Sequence, residues 1–325
     1  MTLPLKERFT HKISLTKKYK AIDLFAGIGG IRLGFANAFK DNIEFVFSSE
    51  IDKYAQQTYT ANFGETPHGD ITKINEKDIP SHDILLAGFP CQAFSIAGKR
   101  LGFEDIRGTL FFEVARIIKY HKPKIVFLEN VKGFVNHDKG NTFKVVKETL
   151  QDLGYKVYAK VLNAKDFGIP QNRERIYIVA FLNDIEFEFP KPLNIDISIK
   201  SKLENDISEK YYYNNKPLFE RIKDDVIDEN SIYQWRRQYV RENKSGVCPT
   251  LTANMGTGGH NVPIIKDKKG IRKLTPRECA NFQGFPDNFI LPNLVDSQLY
   301  KQCGNSVVVG VIEKIALEIS KMKDN

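Results

Sequence analysis

Cys91 lies in the run Gly88-Phe89-Pro90-Cys91-Gln92-Ala93-Phe94-Ser95, directly after the apolar stretch Asp83-Ile84-Leu85-Leu86-Ala87. Proline fixes φ and has no backbone donor, so the chain is expected to turn out of a strand at position 90. Such a turn holds a thiol at the C-terminal edge of a sheet, where open α/β sheets place their ligand crevices. A thiolate there is a nucleophile. A buried packing cysteine is the alternative that this segment leaves open.

A second group is the run Ala21-Ile22-Asp23-Leu24-Phe25-Ala26-Gly27-Ile28-Gly29-Gly30, a strand and a glycine turn entering a helix. Glycines allow a tight turn and close approach of backbone to a ligand. A dinucleotide fingerprint would need a third glycine at 32, and Arg32 stands there instead. Glu50, at the end of the second predicted strand, is placed to accept from ribose hydroxyls. Asp70, expected at the next strand end, is placed to accept from an adenine amino group. Two acids at successive strand ends suggest a nucleoside cofactor without phosphates, and S-adenosylmethionine fits that description.

The elements that carry these residues alternate. Strands are predicted over 19–25, 43–49, 83–88, 124–129, 155–163 and 175–181. Helices are predicted over 30–39, 52–62, 110–120 and 142–153. This alternation predicts an α/β fold, a mostly parallel sheet covered on both faces. The pattern breaks near Phe187-Glu188-Phe189-Pro190 and stays irregular to about Lys273. Helical pattern returns at Thr275-Pro276-Arg277-Glu278, where Thr can cap and Pro takes the first helical position. A final amphipathic helix is expected over 306–321. The domain reading is a catalytic and cofactor-binding domain at 1–189 plus 300–325, with a smaller irregular domain and hinge at 190–299.

Composition narrows the classes. Hydrophobic content of 42% and charged content of 27% are ordinary for a globular chain of 325 residues. No stretch approaches the ~20 apolar residues needed to span a bilayer. The basic N-terminus lacks an apolar signal region, and a cytoplasmic location is expected. Four cysteines lie far apart without CxxC or His/Cys ligand spacing, which favours a reducing compartment and no metal. A net charge of +8 permits a polyanionic partner without proving one.

Five segments, in order, resemble the DNA (cytosine-5) methyltransferases, in particular the compact prokaryotic restriction–modification type. They are Asp23 to Gly30, Gly88-Phe89-Pro90-Cys91-Gln92, Glu129-Asn130-Val131, Gln171-Asn172-Arg173-Glu174-Arg175, and Gln302-Cys303-Gly304-Asn305-Ser306-Val307. The resemblance covers nearly the whole chain except about 190–245. It implies a Rossmann-like S-adenosylmethionine-dependent methyltransferase fold, with the irregular region as target-recognition domain. Cytosine C5 is a poor nucleophile, so the family's chemistry adds a cysteine thiolate to C6 first. Cys91 takes that role, and Glu129, ending the apolar run Ile125-Val126-Phe127-Leu128, becomes the partner of N3. Arg175 is expected to donate to cytosine O2, and Arg173 to steady the Cys91 loop or the base.

The expected cofactor set is Asp23, Phe25, Gly27, Gly29, Gly30, Glu50, Ile51, Asp70, Ile71, Pro90, Leu110, Asn305, Ser306 and Val307. The duplex hides its bases, so the target must be flipped out. Gln92, Ser95, Lys99, Arg100 and Arg107 form a basic segment suited to closing over double-stranded DNA. Arg236, Arg237, Arg241, Thr250, Leu251 and Asn254 are further expected DNA contacts, with Thr250 holding the flipped nucleotide's backbone by resemblance. Trp235 is read as core, and Cys303 as packing. The implied partner is a separate restriction endonuclease, with the chain acting as a monomer. An RNA methyltransferase of the same family carries a Cys-Phe-Thr motif not found here. A silent DNA-binding homologue would be expected to lose Cys91, Glu129 or the glycines.

Overall fold

The computed structural model describes residues 18–90, 110–193, 195, 197–257 and 261–322. Short runs of apolar residues form the strands Tyr19–Leu24 (β1), Ile43–Ser49 (β2), Ile84–Ala87 (β3), Ile125–Val131 (β4), Lys156–Asn163 (β5) and Glu174–Phe181 (β6). They build one sheet in the order β2-β1-β3-β4-β6-β5. β1, β2, β3 and β4 run parallel, whereas β6 is antiparallel to both β4 and β5. That reversal has a functional consequence. Parallel strands deliver their C-terminal residues to one edge, and the antiparallel strand delivers its N-terminal residues to the same edge. Val131 is thereby paired with Arg175.

Both faces of the sheet are apolar and both are covered. Helices Gly30–Phe39 (α1) and, from the chain's end, Val309–Ser320 (α8) bury Ile31, Phe35, Ile312 and Ile315 against Ala21, Ile84 and Phe127. Helices Leu110–His121 (α3) and Asn141–Asp152 (α4) bury Phe111, Ile118, Val146 and Leu150 against Ile22, Leu85 and Val126 on the other face. Between β2 and β3, helix Lys53–Phe63 (α2) is capped by Asp52, whose carboxylate accepts from the N–H groups of Tyr54 and Ala55.

The irregular stretch contains a second, smaller sheet. After the one-turn helix Phe219–Ile222 (α5), strands Tyr233–Trp235 (β7), Val240–Glu242 (β8), Ile264–Asp267 (β9) and Gly270–Lys273 (β10) form a four-stranded sheet in the order β10-β9-β7-β8. Trp235 is buried there with Ile222, Val226, Tyr233, Ile264 and Ile271. Helix Pro276–Phe282 (α6) follows, opened by a complete capping box between Thr275 and Glu278. Helix Asp296–Asn305 (α7) then leads to α8.

This region is anchored to the central sheet by polar atoms. Asn172 N donates to Cys248 O and Cys248 N to Pro170 O, both at 2.7 Å. The fully buried Gln171 amide donates to Phe282 O at 2.7 Å and accepts from Leu251 N at 3.2 Å. No helix among the described residues is long and apolar enough to cross a membrane.

Candidate active site

The carboxyl ends of β1, β2, β3 and β4 and the start of β6 open into a single cavity of about 540 Å³. Its wall contains Phe25, Gly27, Glu50, Ile51, Asp70, Ile71, Pro90, Leu110, Glu129, Arg173, Arg175, Leu251, Asn305 and Ser306. Sequence reasoning had named each of these. The wall also contains Ser49, Asp52, Asn130, Thr252, Ala253, Lys301 and Gln302, to which the sequence assigns no site role. Asp52 could have been found as a helix N-cap and Asn130 as the neighbour of Glu129. Gln302 opens the segment Gln302 to Val307, whereas Lys301, inside the same helix, carries no local signal.

One end of the cavity is built for hydrogen-bond donors. Glu50 sits just past β2, its Oε2 taking Gly27 N–H at 2.8 Å and its Oε1 taking Asp52 N–H at 2.7 Å. Burial raises its pKa, and those two N–H bonds oppose the rise. A carboxylate so held keeps lone pairs for hydroxyl donors. Beside it, Phe25 has φ 53 and Ile51 is 69% exposed. A phenyl group at positive φ is an uncommon conformation for a bulky residue, and here it accompanies a ring in the cavity wall. The glycine turn is equally constrained: Gly29 has φ 85, and a Cβ there would stand 2.1 Å from the Phe63 ring.

The other end carries paired charges. Glu129 is nearly buried, and its Oε1 lies 3.2 Å from Arg175 Nε. Burial raises the Glu129 pKa, opposed by Arg175 and then Arg173. Asn130 is locked beside it, donating to Phe89 O at 2.9 Å and accepting from Val131 N at 2.8 Å. Phe89 and Pro90, on the way to position 91, also line the cavity.

Several expectations are corrected by the geometry. Asp70 does not end a strand: it caps the 3-10 turn Ile71–Lys73, accepting from Thr72 N at 3.1 Å and Thr72 Oγ1 at 2.8 Å. Arg173 lines the cavity, and its guanidinium is spent on the chain itself. It is buried, donating to Leu251 O at 2.6 Å and Gly304 O at 3.1 Å, and also to Ser306 O. It ties three chain segments together.

Asp23, Gly29, Gly30 and Val307 stand behind the cavity wall. Asp23 is fully buried with neither carboxylate oxygen partnered among the described residues. Burial pushes its pKa up to about 7, with Arg32 lowering it and Glu50 and Glu65 raising it. Gly30 lets Val307 and Ser306 pack against α1, since a Cβ would stand 2.8 Å from Val307 Cγ2.

The expected DNA contacts fall into three groups. Gln92, Ser95, Lys99, Arg100 and Arg107 lie outside the described residues, as does Cys91. Arg236, Arg237, Arg241 and Asn254 are exposed, the arginines on the β7–β8 hairpin, where Arg241 donates to Gln234 Oε1 at 2.6 Å. Leu251 is instead a core residue at 1% exposure, so its side chain offers DNA no apolar face. Thr250 uses its one hydroxyl proton on Asn172 O at 2.6 Å.

The other three cysteines, Cys248, Cys279 and Cys303, are fully buried. Burial raises all three thiols, Cys303 to about 12. They are inert packing groups.

Comparison with known proteins follows the same lines. The profile of the C-5 cytosine-specific DNA methylase family matches residues 19–321. The chain is 54% identical over 308 residues to the Type II methyltransferase M.Bsp6I of Bacillus sp. (strain RFL6), covering 92% of this chain and 97% of that one. It is 48% identical over 320 residues to the Type II methyltransferase M.HhaI of Haemophilus parahaemolyticus, covering 92% and 93%. The fold is similar to the crystal structure of S. pombe Dnmt2 methyltransferase, with TM-score 0.73 at 20% identity, covering 93% of this chain and 99% of that one.

Proposed function

As the chain belongs to the C-5 cytosine-specific DNA methylases and is a DNA cytosine-5 methyltransferase, we propose that it acts through a covalent Cys91 adduct on a flipped cytosine, with S-adenosylmethionine as methyl donor. The observation that carries this reading is the cavity itself. It joins a Glu50 carboxylate fit for ribose hydroxyls to a buried Glu129–Arg175 pair, and Pro90, next to Cys91, is in its wall.

The donor set fits the cofactor. Glu50 would accept from the ribose hydroxyls and Asp70 from the adenine amino group, with Phe25, Ile51, Ile71 and Leu110 supplying the apolar walls for the base. Asn305 and Ser306 would bound the far side, and the glycine loop would sit beneath. When bound, S-adenosylmethionine supplies an electrophilic methyl group that the activated C5 carbon takes.

The Cys91 thiolate forms a bond to C6, and the electron pair displaced from the C5–C6 bond is delocalised toward N3 and O2. Burial raises the Glu129 pKa, which suits its carboxyl to pass a proton to N3 as charge builds there. Arg175 donates to O2 and keeps Glu129 oriented. Arg173 acts at one remove, holding Leu251 and Ser306 around the crevice. After transfer N3 returns its proton to Glu129 and the C5 proton leaves to water; the C5–H electron pair re-forms the C5–C6 double bond and expels the Cys91 thiolate. The partition into a catalytic body at 1–189 plus 300–325 and a recognition region at 190–299 belongs to this proposal. The exposed Arg236, Arg237 and Arg241 support a DNA-facing role for the β7–β8 hairpin. The Type II names of the relatives support a partner endonuclease; action as a monomer on DNA inside a prokaryotic cell is part of the same proposal.

The test is adduct trapping on DNA synthesised with 5-fluorodeoxycytidine at every cytosine, so that no recognition sequence need be known. Fluorine cannot leave as a proton does, so with S-adenosylmethionine the protein is expected to stay bound under denaturing conditions. Cys91→Ala should give no adduct. Trapping on 5-fluorocytosine tRNA but not on DNA would overturn the assignment.

A further inference from the structure

Lys301 lies on α7, far along the chain from the cofactor loop, yet its Nζ stands 2.7 Å from Asp52 Oδ2. Both residues line the cavity. The Asp52 carboxylate is already aimed, because its Oδ1 caps α2 by accepting Tyr54 N–H at 2.9 Å and Ala55 N–H at 3.2 Å. Burial raises the Asp52 pKa, but the Lys301 hydrogen bond and the two capping bonds outweigh it, so the group is held below its ordinary value and ionised at neutral pH. The next link is Asp52 N–H, which donates to Glu50 Oε1 at 2.7 Å. One position beyond Lys301, Gln302 accepts from Thr58 Oγ1 at 2.7 Å, and both side chains are buried. Helix α7 therefore grips α2 at its cap and again in its second turn.

We propose that Lys301 is a positioning residue for the cofactor: from α7 it holds the Glu50–Asp52 loop, and so fixes the Glu50 carboxylate against the cavity. The proposal rests on the S-adenosylmethionine reading of that cavity. The pair is partly exposed, with side chains 45% and 25% accessible. Such a pair contributes little to global stability. Its effect is on the geometry of one loop, so the loss is expected in cofactor affinity and not in folding or in the chemical step.

The experiment measures S-adenosylmethionine binding by calorimetry, and KM and kcat on genomic DNA, for the full chain and its variants. Lys301→Met should raise Kd and KM for S-adenosylmethionine about threefold to fivefold, with kcat at saturation within about twofold of wild type. Lys301→Glu, which sets two carboxylates face to face, should raise them about tenfold. Lys301→Arg should restore wild-type values. Asp52→Asn keeps the helix cap, and in that background Lys301→Met should add nothing.

Unchanged affinity in Lys301→Met and Lys301→Glu would overturn the proposal. So would a fall in kcat at unchanged KM, or a Lys301→Arg variant as impaired as Lys301→Met. If Lys301→Met fails to fold, Lys301→Arg and Asp52→Asn carry the same comparison. Failure of the wild-type chain itself to bind S-adenosylmethionine would refute the cofactor reading and this proposal together.

Discussion

The central sheet and the smaller sheet both bury apolar side chains, but among the described residues only the smaller one adds an ion-paired arginine wholly inside. The central sheet is held by apolar side chains on both faces, with Leu85, Val126, Phe127 and Ile315 wholly out of water. The smaller sheet, whose strands are only three or four residues long, adds a buried charge. Arg272, 1% exposed, donates to both Glu278 oxygens at 2.7 Å and to Asp267 Oδ2 at 2.7 Å. Glu278 also accepts Thr275 N–H at 2.8 Å and Glu204 N–H at 3.0 Å. An apolar core tolerates small errors of shape, whereas a buried ion pair depends on every partner. The region expected to read DNA is therefore specified by directional bonds, and the region expected to hold the cofactor by volume and strand ends.

The sharpest way to break this comparison is Arg272→Met. Removing one partner leaves Glu278 uncompensated in a buried site, and a loss of about 3–5 kcal/mol is expected. Hydrogen exchange should report lost protection across residues 204–282 while β1, β3 and β4 keep theirs. A loss below about 1 kcal/mol, or equal deprotection of both regions, would erase the distinction.

Around the central sheet one buried carboxyl has no partner among the described residues, and it provides a smaller test. Asp23 is buried without a partner among the described residues, and its pKa is pushed up to about 7 from 3.8. Its folded pKa exceeds its unfolded one. Its contribution is thus full below about pH 3.8 and is lost as pH rises through about 7. Asp23→Asn should therefore gain stability relative to wild type as pH rises from about 3.8 to about 7, by on the order of 4 kcal/mol. A stability difference that does not change with pH would show that the carboxyl stays hydrated in solution.

What could be read in the sequence follows the same division. The helix Gly30–Phe39 and the strand Ile43–Ser49 have the bounds that their periodicity predicts. Cavity residues at strand ends, such as Glu50 and Glu129, were legible because a parallel sheet fixes where strand ends point. Asp70 was misplaced because a polar residue before Ile71 reads equally as a strand end or as the cap of a turn. The four-stranded sheet was missed since three-residue strands have too few positions to show alternation. Sequence cannot reveal that three carbonyls, on Leu251, Gly304 and Ser306, converge on Arg173. Gly304 is part of that convergence, for a Cβ there would stand 2.1 Å from the carbonyl carbon of Thr252. Long-range polar contacts of this kind have no local period.

The central claim is that Cys91 directs methylation to cytosine in DNA at one short sequence. Bisulfite sequencing of chromosomal DNA from cells expressing the chain, or its Cys91→Ala variant, tests it most directly. The account predicts 5-methylcytosine at a single short sequence context with the wild-type chain and none above background with Cys91→Ala. Methylation that persists in the Cys91→Ala cells, or an unmodified genome in cells making folded wild-type protein, would contradict it.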